Sequence, residues 1–202
     1  MSRKLIFYIA FFVVLIFGFY VALSAIIPGF NKKKINPVSY VRPFAFTDQD
    51  GKQFTNKDVE GKVYVAEYFF TTCKAICPRM NNNMKKVFEK FRNEKDFMIL
   101  SHTCDPEYDS VAILKHYSDS MGLSSSNWVF LTGRKDSLYN MARVSYAIDD
   151  ATDKFTNTLT AFLHTQFWAL VDRDGNVVKV YDGLKLDEVN ELMGDIEKLL
   201  KK

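Results

Sequence analysis

The chain has 202 residues, 48% of them hydrophobic, 25% charged and 15% aromatic, which describes a folded protein and excludes a disordered one. Its formal net charge of +3 is a matter of location: Arg3, Lys4 and Lys32 to Lys34 supply five positive charges, no acid precedes Asp48, and the rest holds 22 basic against 24 acidic residues. A nucleic-acid-binding domain would carry a basic face well beyond this, so nucleic acid is excluded as a partner.

Leu5 to Ile27 is a 23-residue stretch without a charge, broken only by Gly18 and Ser24. As a helix it would reach roughly 34 Å at about 1.5 Å per residue, enough to cross a hydrocarbon core of about 30 Å. The apolar region of a secretory signal is shorter, at ~7–15 residues, and Ala22-Leu23-Ser24 resembles a cleavage site only faintly, so residues 1–30 are expected to stay as a membrane anchor. The basic residues at its two ends nearly balance, and charge counting leaves the orientation open. Asn31 to Pro43, with three lysines and two prolines, reads as a linker, and 44–202 as one domain.

Along that domain, Phe44–Thr47 and Lys52–Thr55 flank Asp48-Gln49-Asp50-Gly51 as a hairpin, and Asn56–Glu60 suits a short helical turn. Lys62–Phe70, rich in β-branched and aromatic residues, reads as a buried central strand, and Thr71–Pro78 as the loop after it. Met80, Met84, Val87, Phe88 and Phe91 recur at helical spacing from Pro78 to about Arg92. A second strand is expected over Asp96–Ser101, a helix over Val111–Met121 stopped by Gly122, a third strand over Trp128–Leu131 and a helix over Asp136–Val144. Asp149–Thr160, polar and rich in Thr and Asp, reads as an excursion. Phe167–Val171 and Val177–Tyr181 form a second hairpin around Asp172-Arg173-Asp174-Gly175, and Leu186–Leu200 a closing helix. The order predicts an α/β thioredoxin-like fold, a central mixed sheet flanked by helices, preceded by a transmembrane helix.

Three cysteines cannot build a disulfide framework, but their spacing is informative. Cys73-Lys74-Ala75-Ile76-Cys77-Pro78 puts two thiols four positions apart at a strand-to-helix junction. Positions i and i+4 share a helix face, so the two sulfurs are expected to converge, and a helix amino terminus favours the thiolate. Two buried small hydrophobes would be the ordinary alternative, a poor one in a loop flanked by Thr71-Thr72 and holding Lys74. A redox pair or a metal site remains. His164 lies just before the last hairpin, in the loop that a thioredoxin-like sheet packs against the cysteine motif, which makes it a candidate third ligand. Two thiolates and an imidazole suit copper or zinc and not calcium or magnesium.

The segment Thr72–Pro78, the methionine-containing helix after it, Asp105-Pro106-Glu107-Tyr108-Asp109, and His164 ahead of Val171–Gly175 together resemble the Sco/SenC family over about residues 40–200. That resemblance implies a membrane-tethered copper protein that helps assemble the dinuclear copper centre of cytochrome c oxidase, with Cys73, Cys77 and His164 as copper ligands and the copper-receiving oxidase subunit as partner. It also implies a single pass through the cytoplasmic membrane with the domain on the periplasmic side. The chain departs from the family at Ser110-Val111, where many relatives have Thr-Pro, and at the bulky Thr165-Gln166-Phe167-Trp168.

Cys104 is outside the family pattern and is expected to be a small residue at a strand end or a resolving thiol near the site. Asp105 is expected either to cap the next helix or to orient a ligand, and His102 and His116 to have no special role. The alternative function is thiol–disulfide exchange through Cys73 and Cys77. Against it, such enzymes resemble one another in a C-x-x-C motif and a proline facing it, whereas here the spacing is C-x-x-x-C and the five prolines, at 28, 37, 43, 78 and 106, are far from the last hairpin.

Overall fold

The computed structural model describes residues 2–26, 36–123, 127–149 and 165–201. The chain divides into two compact units, Met1–Asn36 and Pro37–Lys202. The first contains one helix, α1 (Arg3–Ile26), whose stretch Arg3–Ser24 has a mean hydropathy of 2.7 and is long and apolar enough to cross a membrane. Its large side chains, Phe7, Val14 and Phe17 among them, are exposed, as suits a helix whose solvent is lipid.

The described residues of the second unit build an eight-stranded mixed sheet. Its strands are β1 (Ser39–Tyr40), β2 (Ala45–Asp48), β3 (Gln53–Thr55), β4 (Val63–Phe69), β5 (Phe97–Thr103), β6 (Trp128–Thr132), β7 (Phe167–Val171) and β8 (Asn176–Asp182), in the order β1-β8-β7-β4-β5-β6-β2-β3. β4, β5 and β6 are parallel, and β7 returns antiparallel to β4. The helices are α2 (Cys77–Phe91), α3 (Val111–Ser120), α4 (Lys135–Asn140) and α5 (Leu186–Leu200).

Every residue of β4 is buried, so both its faces carry core. Val63, Val65 and Phe69 pack on one side with Met80, Met84, Val87 and Phe88 of α2, Leu114 of α3 and Leu192 and Ile196 of α5. Tyr64, Ala66 and Tyr68 pack on the other with Leu138, Tyr139, Met141 and Tyr146. This is the expected layering of a mixed sheet between helices.

Four elements differ from expectation. Ser39–Tyr40, inside the stretch read as a linker, form β1 on β8, and its flanks extend the pairing: Val38 N–H donates to Val177 O at 2.8 Å and Val41 N–H to Gly175 O at 2.9 Å. A two-residue strand between prolines gives too little alternation to be seen. β5 runs two residues past Ser101, because His102 and Thr103 are polar in type yet fully buried. The helix expected over Asp136–Val144 is α4 followed by a π-helical turn over Met141–Ser145, a local widening without a composition signature. Ser110, not Asp105, precedes α3. The expected excursion at 149–160 lies outside the described residues beyond Asp149.

Candidate metal and thiol site

Cys73 and Cys77 sit at the carboxyl end of β4, where the parallel strands β4 and β5 deliver their ends to one edge of the sheet. Only Cys77 is helical. It is the first residue of α2, with Pro78 in the first turn, where a missing N–H costs nothing. Cys73 is in the loop, its N–H donating to Phe70 O at 3.2 Å. The sulfurs therefore meet through the 71–76 turn and not through a shared helix face, which corrects the expected reason for their convergence.

The two thiols differ in environment. Cys73 is half-buried and Cys77 is buried. Burial alone would raise the Cys73 thiol, but the Cys77 S–H and the backbone N–H groups of Cys77, Ala75 and Ile76 all donate toward its sulfur and bring it below the usual thiol range. Cys77 moves the other way: burial raises it first, then its donation to Cys73, and the charges of Cys73 and Glu67 add to this against the Phe70 N–H. Cys73 is thus the more acidic thiol of the pair and Cys77 the less acidic one.

Asp109, fully buried, supports the loop. It accepts from Thr71 N–H at 3.2 Å, from the Thr71 hydroxyl and from the Thr103 hydroxyl at 2.5 Å. Asp105 contributes backbone: its N–H donates to Thr103 Oγ1 at 2.9 Å and its carbonyl accepts from Tyr108 and Asp109. It does not cap α3, because Ser110 occupies the cap position.

Beneath the pair, on the face that packs α2, lies Glu67, fully buried. Ser101 Oγ donates to it at 2.6 Å and Trp128 Nε1 donates to Ser101 Oγ at 2.8 Å. Burial lifts its carboxyl to about 7, and the Ser101 hydrogen bond holds it from going higher. Sequence reading passed over both Glu67 and the role of Asp109. The signal for Glu67 was its being the one charge inside the run Val63–Phe70.

The third cysteine, Cys104, is 2% exposed just beyond β5 and packs with Tyr68 and Tyr139 on the opposite face from Cys77. Burial pushes its thiol well up, and the nearby charges of Cys77, Asp109, Cys73 and Asp105 add to the effect. This is the small buried residue at a strand end. His102 is fully buried, stacked on Tyr68 with centroids 4.9 Å apart, and burial lowers it to about 4; His116 is exposed on α3. His164 lies outside the described residues, and among the described residues no group of three His, Cys, Asp or Glu side chains could hold a metal. The donors that are described, the two neighbouring sulfurs of Cys73 and Cys77, are soft ligands that fit a thiophilic ion.

The chain matches the family model described as SCO1/SenC over residues 32–201. It is 33% identical over 165 residues to the SCO1 protein homolog of Bacillus subtilis (strain 168), covering 80% of this chain and 84% of that one. Among solved structures it is similar to BsSco, described as a member of the Sco family of cytochrome c oxidase assembly proteins with a disulfide switch, at a TM-score of 0.68 and 30% identity over 83% of this chain and 98% of that one. It also shares its fold with Arabidopsis thaliana ScoI, solved with copper bound, at a TM-score of 0.62 and 24% identity over 81% of this chain and 100% of that one.

Proposed function

The chain belongs to the SCO1/SenC family, and from that premise we propose that it is a membrane-tethered copper-binding protein of cytochrome c oxidase assembly. The observation that carries this reading is the Cys73–Cys77 pair, two soft donors held at one point, one of them more acidic than an ordinary thiol. Cys73 and Cys77 would bind the ion, with His164 as third ligand. Cu(I) is satisfied by two thiolates, whereas Cu(II) gains from the added imidazole nitrogen.

The chemistry of loading follows from the protons. A thiol must ionise to bind, so the copper that arrives displaces the proton of Cys77, and transfer onward to another thiolate site returns it. The recipient is the dinuclear copper site of an oxidase subunit, and α1 holds the domain in the cytoplasmic membrane with residues 37–202 on the periplasmic side.

A second reading, thiol–disulfide exchange with the recipient's cysteines, is favoured by the unequal acidity of the two thiols: a low one attacks, a high one resolves. The two activities share the same sulfurs and compete for them. In cells lacking this chain, we expect oxidase subunits that are made and inserted but lack their dinuclear copper. Copper-replete oxidase in those cells at ordinary copper supply contradicts the assignment.

A further inference from the structure

We propose that Asp109 is a positioning residue of the cysteine pair: by clamping Thr71, it fixes where the chain leaves β4 and so presents Cys73 to the metal. The proposal rests on the copper reading of the site and deepens it. Two of the three hydrogen bonds that Asp109 accepts come from Thr71, two residues before Cys73, one from its N–H and one from its hydroxyl. The carboxylate is fully buried, so these bonds face no competition from water.

The clamp has a fixed and a dependent side. The turn that carries Asp109 is held by its own bonds, Tyr108 N–H at 3.1 Å and Asp109 N–H at 2.8 Å to Asp105 O. It is tied to the sheet by Asp105 N–H to Thr103 Oγ1, by Cys104 N–H to Phe69 O at 2.7 Å, and by Tyr139 Oη to Cys104 O at 2.9 Å. On the dependent side, Cys73 is tied back to the strand by its N–H to Phe70 O, a long bond at 3.2 Å. Phe70 and Thr71 are consecutive, so holding Thr71 also holds the Phe70 carbonyl that Cys73 uses and the Phe70 N–H that reaches Cys77. The loop geometry in which the N–H groups of residues 75–77 converge on the Cys73 sulfur depends on that start.

A carboxylate is required and not just a polar residue. Three donors converge on it, and an amide in its place would turn an N–H₂ toward donors with nothing to accept it.

Substitutions inside and outside the clamp separate positioning from plain stability, with the full chain in detergent as the sample. Thr71→Val removes the loop-side hydroxyl. Phe91→Leu, at the far end of α2 against Phe97, loosens the core without touching the clamp. Both should lower the thermal midpoint. Only Thr71→Val and Asp109→Asn should slow alkylation of Cys73 by iodoacetamide in the metal-free protein, by about tenfold, as a tenfold smaller thiolate fraction requires. The same two should shift or weaken the thiolate-to-Cu(II) absorption band, with Phe91→Leu matching the parent protein in both. If Thr71→Val and Phe91→Leu change reactivity and band alike, or neither changes them, Asp109 is ordinary core and the proposal is overturned. If the parent protein gives no copper band while Thr71→Val still slows alkylation, the copper reading fails and the clamp stands.

Discussion

Cys73 and Cys77 act on each other in opposite directions: the contact with Cys77 makes the Cys73 thiol more acidic, and the contact with Cys73 makes the buried Cys77 thiol less so. They meet because the 71–76 turn folds Cys73 back toward the start of α2.

Copper affinity should therefore rise with pH. A thiol must ionise to bind, so the apparent affinity for Cu(I) increases about tenfold per pH unit for each thiol proton that binding releases. Competition titrations against a Cu(I) chelator between pH 6 and 8 measure this; a pH-independent affinity contradicts the assignment of the proton.

The three cysteines should separate cleanly in mutagenesis. Cys73→Ser and Cys77→Ser should each abolish retained copper, because one thiolate leaves too few soft donors. Cys104→Ser should leave copper binding within about twofold, since that thiol is raised and packed on the opposite face. Equal loss in all three variants, read by metal analysis after desalting, would show that the pair is not the site.

Two buried groups should oppose one another in the pH dependence of stability. Glu67 is lifted to about 7 from an ordinary 4.5, so between those values the folded chain holds a proton the unfolded chain has released, and stability falls as pH rises. His102 is lowered to about 4 from 6.5, so the unfolded chain holds the extra proton and stability rises with pH over that window. The two slopes nearly cancel. Glu67→Gln should remove only the falling arm, so its stability relative to the parent protein should be about 3 kcal/mol better at pH 8 than at pH 4.5. Denaturant unfolding at the two pH values decides it, and parallel profiles contradict the burial argument.

Gly183 is required where β8 ends. A Cβ there would lie 2.4 Å from Trp168 Cε2 and 2.6 Å from Cζ2. The backbone cannot retreat, because Gly183 N–H donates to Gln166 O at 2.9 Å and its carbonyl accepts from Asn83 Nδ2 at 2.9 Å. Gly183→Ala should destabilise by about 1–3 kcal/mol, the usual cost of overpacking. An unchanged denaturation midpoint would show that Trp168 can move aside.

Most of this architecture was legible in the sequence, because long periodic segments such as Val63–Phe69, the α2 stripe of Met80, Met84 and Val87, and the two hairpins around Gly51 and Gly175 state their own type. What escaped was of two kinds. β1 and the π-helical turn are too short or too irregular to produce a period. Asp109 and Glu67 act through burial, and a sequence shows that a residue is acidic but not that three hydroxyl and amide donors converge on it, nor that water is absent around it. The cysteine pair was legible as a site; the inequality of its two thiols was not, since it arises from N–H directions in a loop.

If Cys73, Cys77 and His164 form one copper site, titrating the full chain and its His164→Ala variant with copper separates the third ligand from the two thiols. The parent protein should take up one copper with a thiolate-to-Cu(II) band that fades as the pH falls through about 6.5, where a free imidazole protonates. His164→Ala should lose most of its Cu(II) affinity, keep more of its Cu(I) affinity, and still form the Cys73–Cys77 disulfide. Unchanged Cu(II) binding and an unchanged band in His164→Ala would remove that residue from the site and contradict the claim.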